Sequence, residues 1–261
     1  MVEVRGVRYR VGSAEILRDV SVEFRAERFN VILGPNGAGK STLLRIAAGL
    51  LEPTAGEVRY DGVGVGTLGA EALARRRAML SQRVELAFPL AVEDVVLMGR
   101  YPHYGRAPAP RDREIVERAL ALVDLTDKRR QPYVTLSAGE QQKAQMARVL
   151  AQIWSFDAPG EGKVLFLDEP TSNLDVHYEL HLLDVARTLL GVKCTVVAIL
   201  HDLNVALRYG DAFYVMERGA VALRADDARE IPASLIERVF RVRAHEVADA
   251  ESGERMWRFR L

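Results

Sequence analysis

Gly34-Pro35-Asn36-Gly37-Ala38-Gly39-Lys40-Ser41 puts three glycines, one ammonium and one hydroxyl within a single short stretch. An apolar run at residues 29–33 precedes it and a helical pattern at 40–48 follows, stopped by Gly49, so the stretch reads as strand, Gly-rich turn and helix. Glycines let backbone N–H groups turn inward and approach phosphate oxygens closely. The N-terminus of the following helix adds its dipole and further donors. Lys40 supplies a point charge for β- and γ-phosphates, and the Ser41 hydroxyl suits Mg²⁺. A second stretch, Val164-Leu165-Phe166-Leu167-Asp168-Glu169, is a buried-strand pattern ending in two acids. α/β proteins place ligand chemistry at the C-terminal ends of such strands. Asp168 suits Mg²⁺, and Glu169 suits the orientation and deprotonation of an attacking water. Standing alone, these acids could merely end a strand before Pro170; beside a phosphate-binding turn they read as the hydrolytic half of the same chemistry. A third stretch, Leu136-Ser137-Ala138-Gly139-Glu140, spaces Ser137 and Glu140 as a capping box that opens a helix running to about residue 154. A serine, a glycine and a helix N-terminus also form an anion site, and the residues alone leave both readings open.

These groups need elements to hold them. The N-terminal part alternates as strands do, with Val2, Val4, Val7 and Tyr9 on one and Val20, Val22 and Phe24 on another; 57–60 reads as an edge strand. Residues 91–154 are helical in pattern, interrupted by a Pro-rich loop at 101–110, with one apolar helical face over 111–123. Strands return at 164–167, 194–200 and 213–216 with helices between them, which predicts a parallel sheet covered by helices. The tail from about residue 240 is mixed and is expected to end in a strand at 256–261. Arg75, Arg76 and Arg77 read as the solvated face of a short helix.

Composition narrows the function. The 261 residues balance 36 Lys+Arg against 36 Asp+Glu, and this neutral chain lacks the basic field that bulk nucleic-acid binding needs. Only five of the basic residues are Lys. One cysteine, Cys194 in an apolar run, excludes an internal disulfide and a Cys-based zinc site, and it is expected in the core. No basic segment followed by an apolar core opens the sequence, and no apolar run approaches the roughly 18 residues of a bilayer span, so a cytosolic protein that does not itself cross a membrane is expected.

Across nearly its whole length the chain resembles the ATP-binding subunit of ABC transporters. Residues 34–41 resemble the Walker A loop, 136–140 the ABC signature, and 164–169 the Walker B strand with its catalytic glutamate. Gln82 in Met79-Leu80-Ser81-Gln82 matches the Q-loop glutamine, Ser172-Asn173-Leu174-Asp175 the D-loop, His201 the switch histidine, and Tyr9 the aromatic that stacks on adenine. One departure is visible: Ala138 stands where the signature usually carries Gly, which adds a methyl at a phosphate-facing turn. The resemblance implies an α/β fold, a P-loop NTPase core with an N-terminal antiparallel β subdomain and an inserted α-helical subdomain. The expected layout is one ABC domain over 1–261: core and β subdomain at 1–82 and 160–240, helical subdomain at 83–159, C-terminal extension at 241–261. It implies catalytic roles for Glu169, His201 and Gln82. Nucleotide contacts are implied for Tyr9, Gly34, Pro35, Asn36, Gly37, Ala38, Gly39, Lys40, Ser41, Thr42, Ser137, Gly139 and Asp175, and Mg²⁺ coordination for Ser41, Gln82 and Asp168. It further implies an ATP-dependent head-to-tail dimer of two copies, with each ATP held by Lys40 and Ser41 of one copy and by Ser137 and Gly139 of the other.

Val95-Val96-Leu97-Met98-Gly99-Arg100-Tyr101-Pro102-His103 resembles the segment of importer ATPases for iron-siderophores, cobalamin and haem. Residues 147–154 and the loop 155–163 bring the likeness closest to the haem (haemin) group. Haem uptake is therefore expected, with the chain peripheral on the cytoplasmic face of the inner membrane. The implied partners are a second copy, a polytopic permease dimer and, indirectly, a periplasmic haem-binding protein, with no nucleic acid. A ferric-siderophore or cobalamin importer, and a soluble ABC ATPase without a membrane partner, are the alternatives. Arg100 and His103 are expected to help build the groove that receives a coupling helix of the membrane subunit.

Overall fold

The computed structural model describes residues 1–81, 88–154, 162–170, 175–248 and 255–260. Gln82, Ser172, Asn173, Leu174 and most of the loop 155–163 lie outside the described residues. The chain divides into two compact units, Met1–Gly66 with Val197–Leu261, and Thr67–Val196.

The first unit opens with β1 (Val2–Val11), β2 (Ala14–Phe24), β3 (Phe29–Leu33), α1 (Lys40–Ala47), β4 (Ala55–Tyr60) and β5 (Val63–Gly64). β1 pairs antiparallel with β2 (Val2↔Phe24, Val4↔Val22) and with β4 (Val2↔Tyr60, Val4↔Val58), giving the order β2-β1-β4-β5. Val2, Val4 and Val7 are all buried, as their apolar side chains predict, and Arg5 and Arg8 face water; the alternation is broken at Glu3, which is only 8% exposed, and at the register shift between Val4 and Val7. β3 is buried at all five positions, as a strand covered on both faces must be.

The second unit runs through α2 (Ala70–Arg76), β6 (Arg77–Leu80), α3 (Val92–Leu97), α4 (Pro110–Leu122), α5 (Ala138–Gln152), β7 (Lys163–Asp168), α6 (Val176–Thr188) and the first half of β8 (Cys194–Ile199). β6 and β7 are parallel, with Arg77↔Val164 and Leu80↔Leu167 in register. Arg77 thus starts a strand, whereas the sequence placed it on a helix with Arg75 and Arg76. α3 and α4 pack on α5, and the face predicted over 111–123 is found at Ile115, Ala119 and Val123, which are buried, with Leu122 half-buried; Val95 and Val96 of α3 and Ala147 and Leu150 of α5 are buried as well. Pro110 occupies the first position of α4, where its missing N–H costs no bond.

Back in the first unit the chain forms α7 (Leu203–Tyr209), β9 (Ala212–Glu217), β10 (Ala220–Ala225), α8 (Ala233–Phe240), β11 (Arg243–Ala248) and β12 (Arg255–Arg260). β9 pairs parallel with β3 (Val31↔Phe213, Leu33↔Val215) and antiparallel with β10. Phe24 and Tyr214 meet edge to face at 5.1 Å in this core. Cys194 is 1% exposed, as expected of a core residue, and burial pushes its thiol up to about 12.

Candidate functional site

The motif residues fall in both units. In the first, β3 ends at Leu33 and α1 begins at Lys40, with the Gly-rich loop between them. Glycine is required at both ends of that loop. A Cβ on Gly34 would lie 2.4 Å from the Met216 carbonyl oxygen of β9, and one on Gly39 would lie 2.8 Å from Leu17 Cδ2 and 3.0 Å from the Ile16 carbonyl. Gly39 also caps α1 in the left-handed region (φ 94) without any side-chain cap, leaving that helix end to its dipole and its N–H groups. Lys40 is 5% exposed, and its Nζ donates to the carbonyls of Gly34 (2.8 Å) and Pro35 (3.1 Å), bracing the loop from within. Asn36 and Gly37 are exposed, while Ser41 and Thr42 are half-buried in the first turn of α1.

Tyr9 lies across from Leu17, at a register shift of β1 against β2. Leu17 is the side chain that fills the space beside Gly39. The main chain adds a second tie: Arg18 N–H donates to the Gly219 carbonyl (2.8 Å), and Gly219 N–H donates to the Ala38 carbonyl (3.1 Å). One hairpin therefore carries the expected adenine-stacking aromatic and closes on the phosphate loop. His201, exposed, follows β8 and precedes Asp202, whose Oδ1 accepts from the N–H groups of Asn204 (2.7 Å) and Val205 (3.1 Å) to start α7.

In the second unit Ser137 caps α5 as its spacing predicted. Ser137 N–H donates to Glu140 Oε2 at 2.9 Å, and Glu140 N–H donates to Ser137 Oγ at 3.4 Å. The Lys128 ammonium bonds the same carboxylate, and this contact, followed by the two Ser137 bonds, lowers the Glu140 pKa to about 2. Ala138 is exposed, so its extra methyl meets solvent, and Gly139 is half-buried. At the end of β7, Asp168 is a carboxylate only 2% exposed, and Glu169 takes a left-handed backbone (φ 51). Such a conformation in a non-glycine residue costs about 1–2 kcal/mol and marks a position held by its surroundings. One hold is visible: Gln142 of α5 donates its amide to the Pro170 carbonyl at 3.1 Å. Asp175 caps α6 by accepting from Tyr178 N–H (3.0 Å), and Lys143 Nζ stands 3.7 Å over the Tyr178 ring. α5 thus grips the chain on either side of the D-loop match.

Arg100 departs from expectation. It is 7% exposed, its Nε donates to Asp112 Oδ1 (2.9 Å) and its Nη1 to the Ala151 carbonyl (2.7 Å). Its guanidinium is spent inside the unit, where burial lowers its pKa, and is not offered to a docking groove. His103 Nε2 bonds the Gln152 carbonyl at 2.7 Å, so both side chains cap the C-terminal end of α5. Sequence reading singled out Arg100 and His103 but not their hold on α5, and it missed Gln142 and Asn204; a polar residue inside the signature helix and an Asp-x-Asn helix start were the available signals.

Mg²⁺ prefers hard oxygen donors and takes few of them from protein. The Ser41 hydroxyl and the buried Asp168 carboxylate are donors of that kind. Among the described residues no group of three or more His, Cys, Asp or Glu forms a self-contained metal cage, and no helix is long and apolar enough to cross a membrane.

Residues 17–172 match the ABC transporter family. The hemin import ATP-binding protein HmuV of Pseudomonas entomophila (strain L48) is 44% identical over 84% of this chain and 84% of its own length. The protein of the same name from Bordetella parapertussis is 40% identical over 94% of each chain. Among solved structures, a dimeric bacterial ABC transporter cassette superposes with a TM-score of 0.74 at 27% identity, covering 87% of this chain and 98% of that one. The α/β fold is that of the P-loop cassette, and the chain belongs to the ABC transporter family as an ATP-binding subunit.

Proposed function

We propose that the chain is the ATP-hydrolysing subunit of an importer that moves haem (haemin) across the cytoplasmic membrane. The observation that carries the substrate is the set of relatives named for hemin import, which align at 40–44% identity over most of this chain. In this reading Tyr9 stacks on the adenine, and the loop 34–41 with Thr42 holds the phosphates by backbone N–H groups and by the charge of Lys40. Ser41, Gln82 and Asp168 would hold Mg²⁺, whose charge offsets that of the β- and γ-phosphate oxygens. Glu169 accepts the proton of the attacking water as its oxygen bonds to the γ-phosphorus; the bond to the bridging oxygen breaks, and ADP and phosphate leave. His201 and Gln82 orient the γ-phosphate and the water.

The working unit is a head-to-tail dimer on the cytoplasmic face of the inner membrane. Ser137 and Gly139 of one copy close over the ATP of the other, and Asp175 orders the start of α6 beside that contact. A polytopic permease dimer receives the resulting motion, and a periplasmic haem-binding protein delivers the substrate. The test is deletion of the gene, followed by supply of haemin, a ferric siderophore or cobalamin as sole source of the limiting nutrient. Growth failure confined to haemin is expected. Normal haemin use with lost siderophore or cobalamin use overturns the substrate and leaves the ATPase reading intact.

A further inference from the structure

The segment after α8 carries none of the nucleotide motifs, yet it is built against the helix that begins just after His201. β11 and β12 form a two-stranded hairpin in which Glu246 faces Trp257. Among the described residues no further strand pairs with β12, and a strand edge needs a partner for its N–H and C=O groups. At Trp257 that partner is one side chain of α7. Asn204 Nδ2 donates to the Trp257 carbonyl (3.2 Å), and Trp257 N–H donates to Asn204 Oδ1 (2.7 Å). The carboxamide thus pairs with the edge of β12 as a further strand would. The Trp257 side chain is 3% exposed, although Met256 and Phe259 on the same strand are open to solvent. The other strand is fastened to α8, where Ala244 N–H donates to Glu237 Oε1 at 2.9 Å.

Asn204 faces two ways. Its main-chain N–H bonds Asp202, closing the turn that follows His201, while its side chain grips the hairpin. α7 has only seven residues, and a helix of that length does not hold its shape without packing. Its first turn is held locally by Asp202 and remotely by Trp257.

We propose that the C-terminal hairpin is a positioning element for ATP hydrolysis, fixing His201 through the pairing of Asn204 with Trp257. The proposal rests on the reading of His201 as a γ-phosphate-orienting group. Its test compares full-length Asn204→Leu, Asn204→Asp, His201→Ala and the double variant His201→Ala/Asn204→Leu by steady-state ATPase kinetics and melting temperature. Asn204→Leu removes both bonds at similar volume, and kcat should fall about tenfold with KM for ATP within about twofold, as for a group acting only in the transition state. Asn204→Asp keeps the bond from Trp257 N–H and loses the other, so about a threefold loss is expected. In the His201→Ala background Asn204→Leu should cost nothing further. An impaired His201→Ala beside an Asn204→Leu of parental kcat overturns the proposal alone, as do losses that simply multiply in the double variant. A parental rate in His201→Ala overturns the histidine reading and the proposal with it. Where Asn204→Leu fails to fold, the Asp variant decides, and parental kcat there refutes the positioning role.

Discussion

Replacing Arg100 with Met tests whether this residue serves the interior or a membrane partner. The substitution leaves Asp112, 5% exposed, without its guanidinium, and takes the Nη1 donor from the Ala151 carbonyl at the end of α5. Asp112 keeps the N–H of Ala109 at 2.9 Å, which satisfies one oxygen and leaves the charge buried. Removing one partner of a buried ion pair costs about 3–5 kcal/mol. With about 2.1 cal/mol/K of unfolding entropy per residue, the whole 261-residue chain unfolding together would lose roughly 5–9 °C in Tm. Differential scanning calorimetry of the nucleotide-free protein measures this directly. The double variant Arg100→Met/Asp112→Leu should recover most of the loss, because an apolar pair of similar volume carries no stranded charge. An Arg100→Met protein with parental Tm and parental basal ATPase, but with transport lost in reconstituted vesicles, would refute the interior role and return Arg100 to a docking groove.

Two further outcomes follow from the site. Lys40→Ala should abolish ATP binding by equilibrium titration, whereas Glu169→Gln should bind ATP, lose turnover by about 10²–10⁴-fold and accumulate as a dimer on size exclusion; parental hydrolysis by Glu169→Gln removes that residue from catalysis. For Glu140 the folded pKa of about 2 lies below the ordinary 4.5, so the capping box contributes its full stability above pH 4.5 and loses it as pH falls toward 2. Urea unfolding of Lys128→Met and parent should therefore show a stability gap that is constant near neutral pH and closes below pH 4.5; a gap that widens on acidification contradicts the assignment.

What could be read from sequence was local. Lys40, Ser137 and Asp168 sit where spacing placed them, because a Gly-rich turn, a capping box and a short apolar strand are each fixed by neighbours within a few positions. The groove role expected of Arg100 came from the likeness of residues 95–103 to importer ATPases, which says nothing of the carboxylate, 12 residues away, that keeps its guanidinium inside. β11 was missed for a related reason. Of its six residues only Ala244 is buried, so no alternation marks it, and its hairpin is held by a bond from Asn204 that spans 53 positions. Gln142 looked like one more polar residue of a capped helix, and its meaning lies in the Pro170 carbonyl 28 residues on.

The order in which the ribosome delivers these parts has its own consequence. β3 leads into the phosphate loop, but its parallel partner β9 begins only at Ala212, just after Asp211, which accepts the Phe29 N–H across 182 positions. At about 5–20 residues per second that delay is roughly 10–40 s. The unit Thr67–Val196 is continuous and is complete before β9 emerges. The usual N-terminal-first sequence of folding is thereby inverted: the interior segment can close early, while Phe29-Asn30-Val31-Ile32-Leu33, buried throughout in the finished protein, waits unpaired with β9. During synthesis that five-residue strand needs chaperone cover, and slowing translation between residues 34 and 211 should raise aggregation of the nascent chain more than slowing it after residue 217.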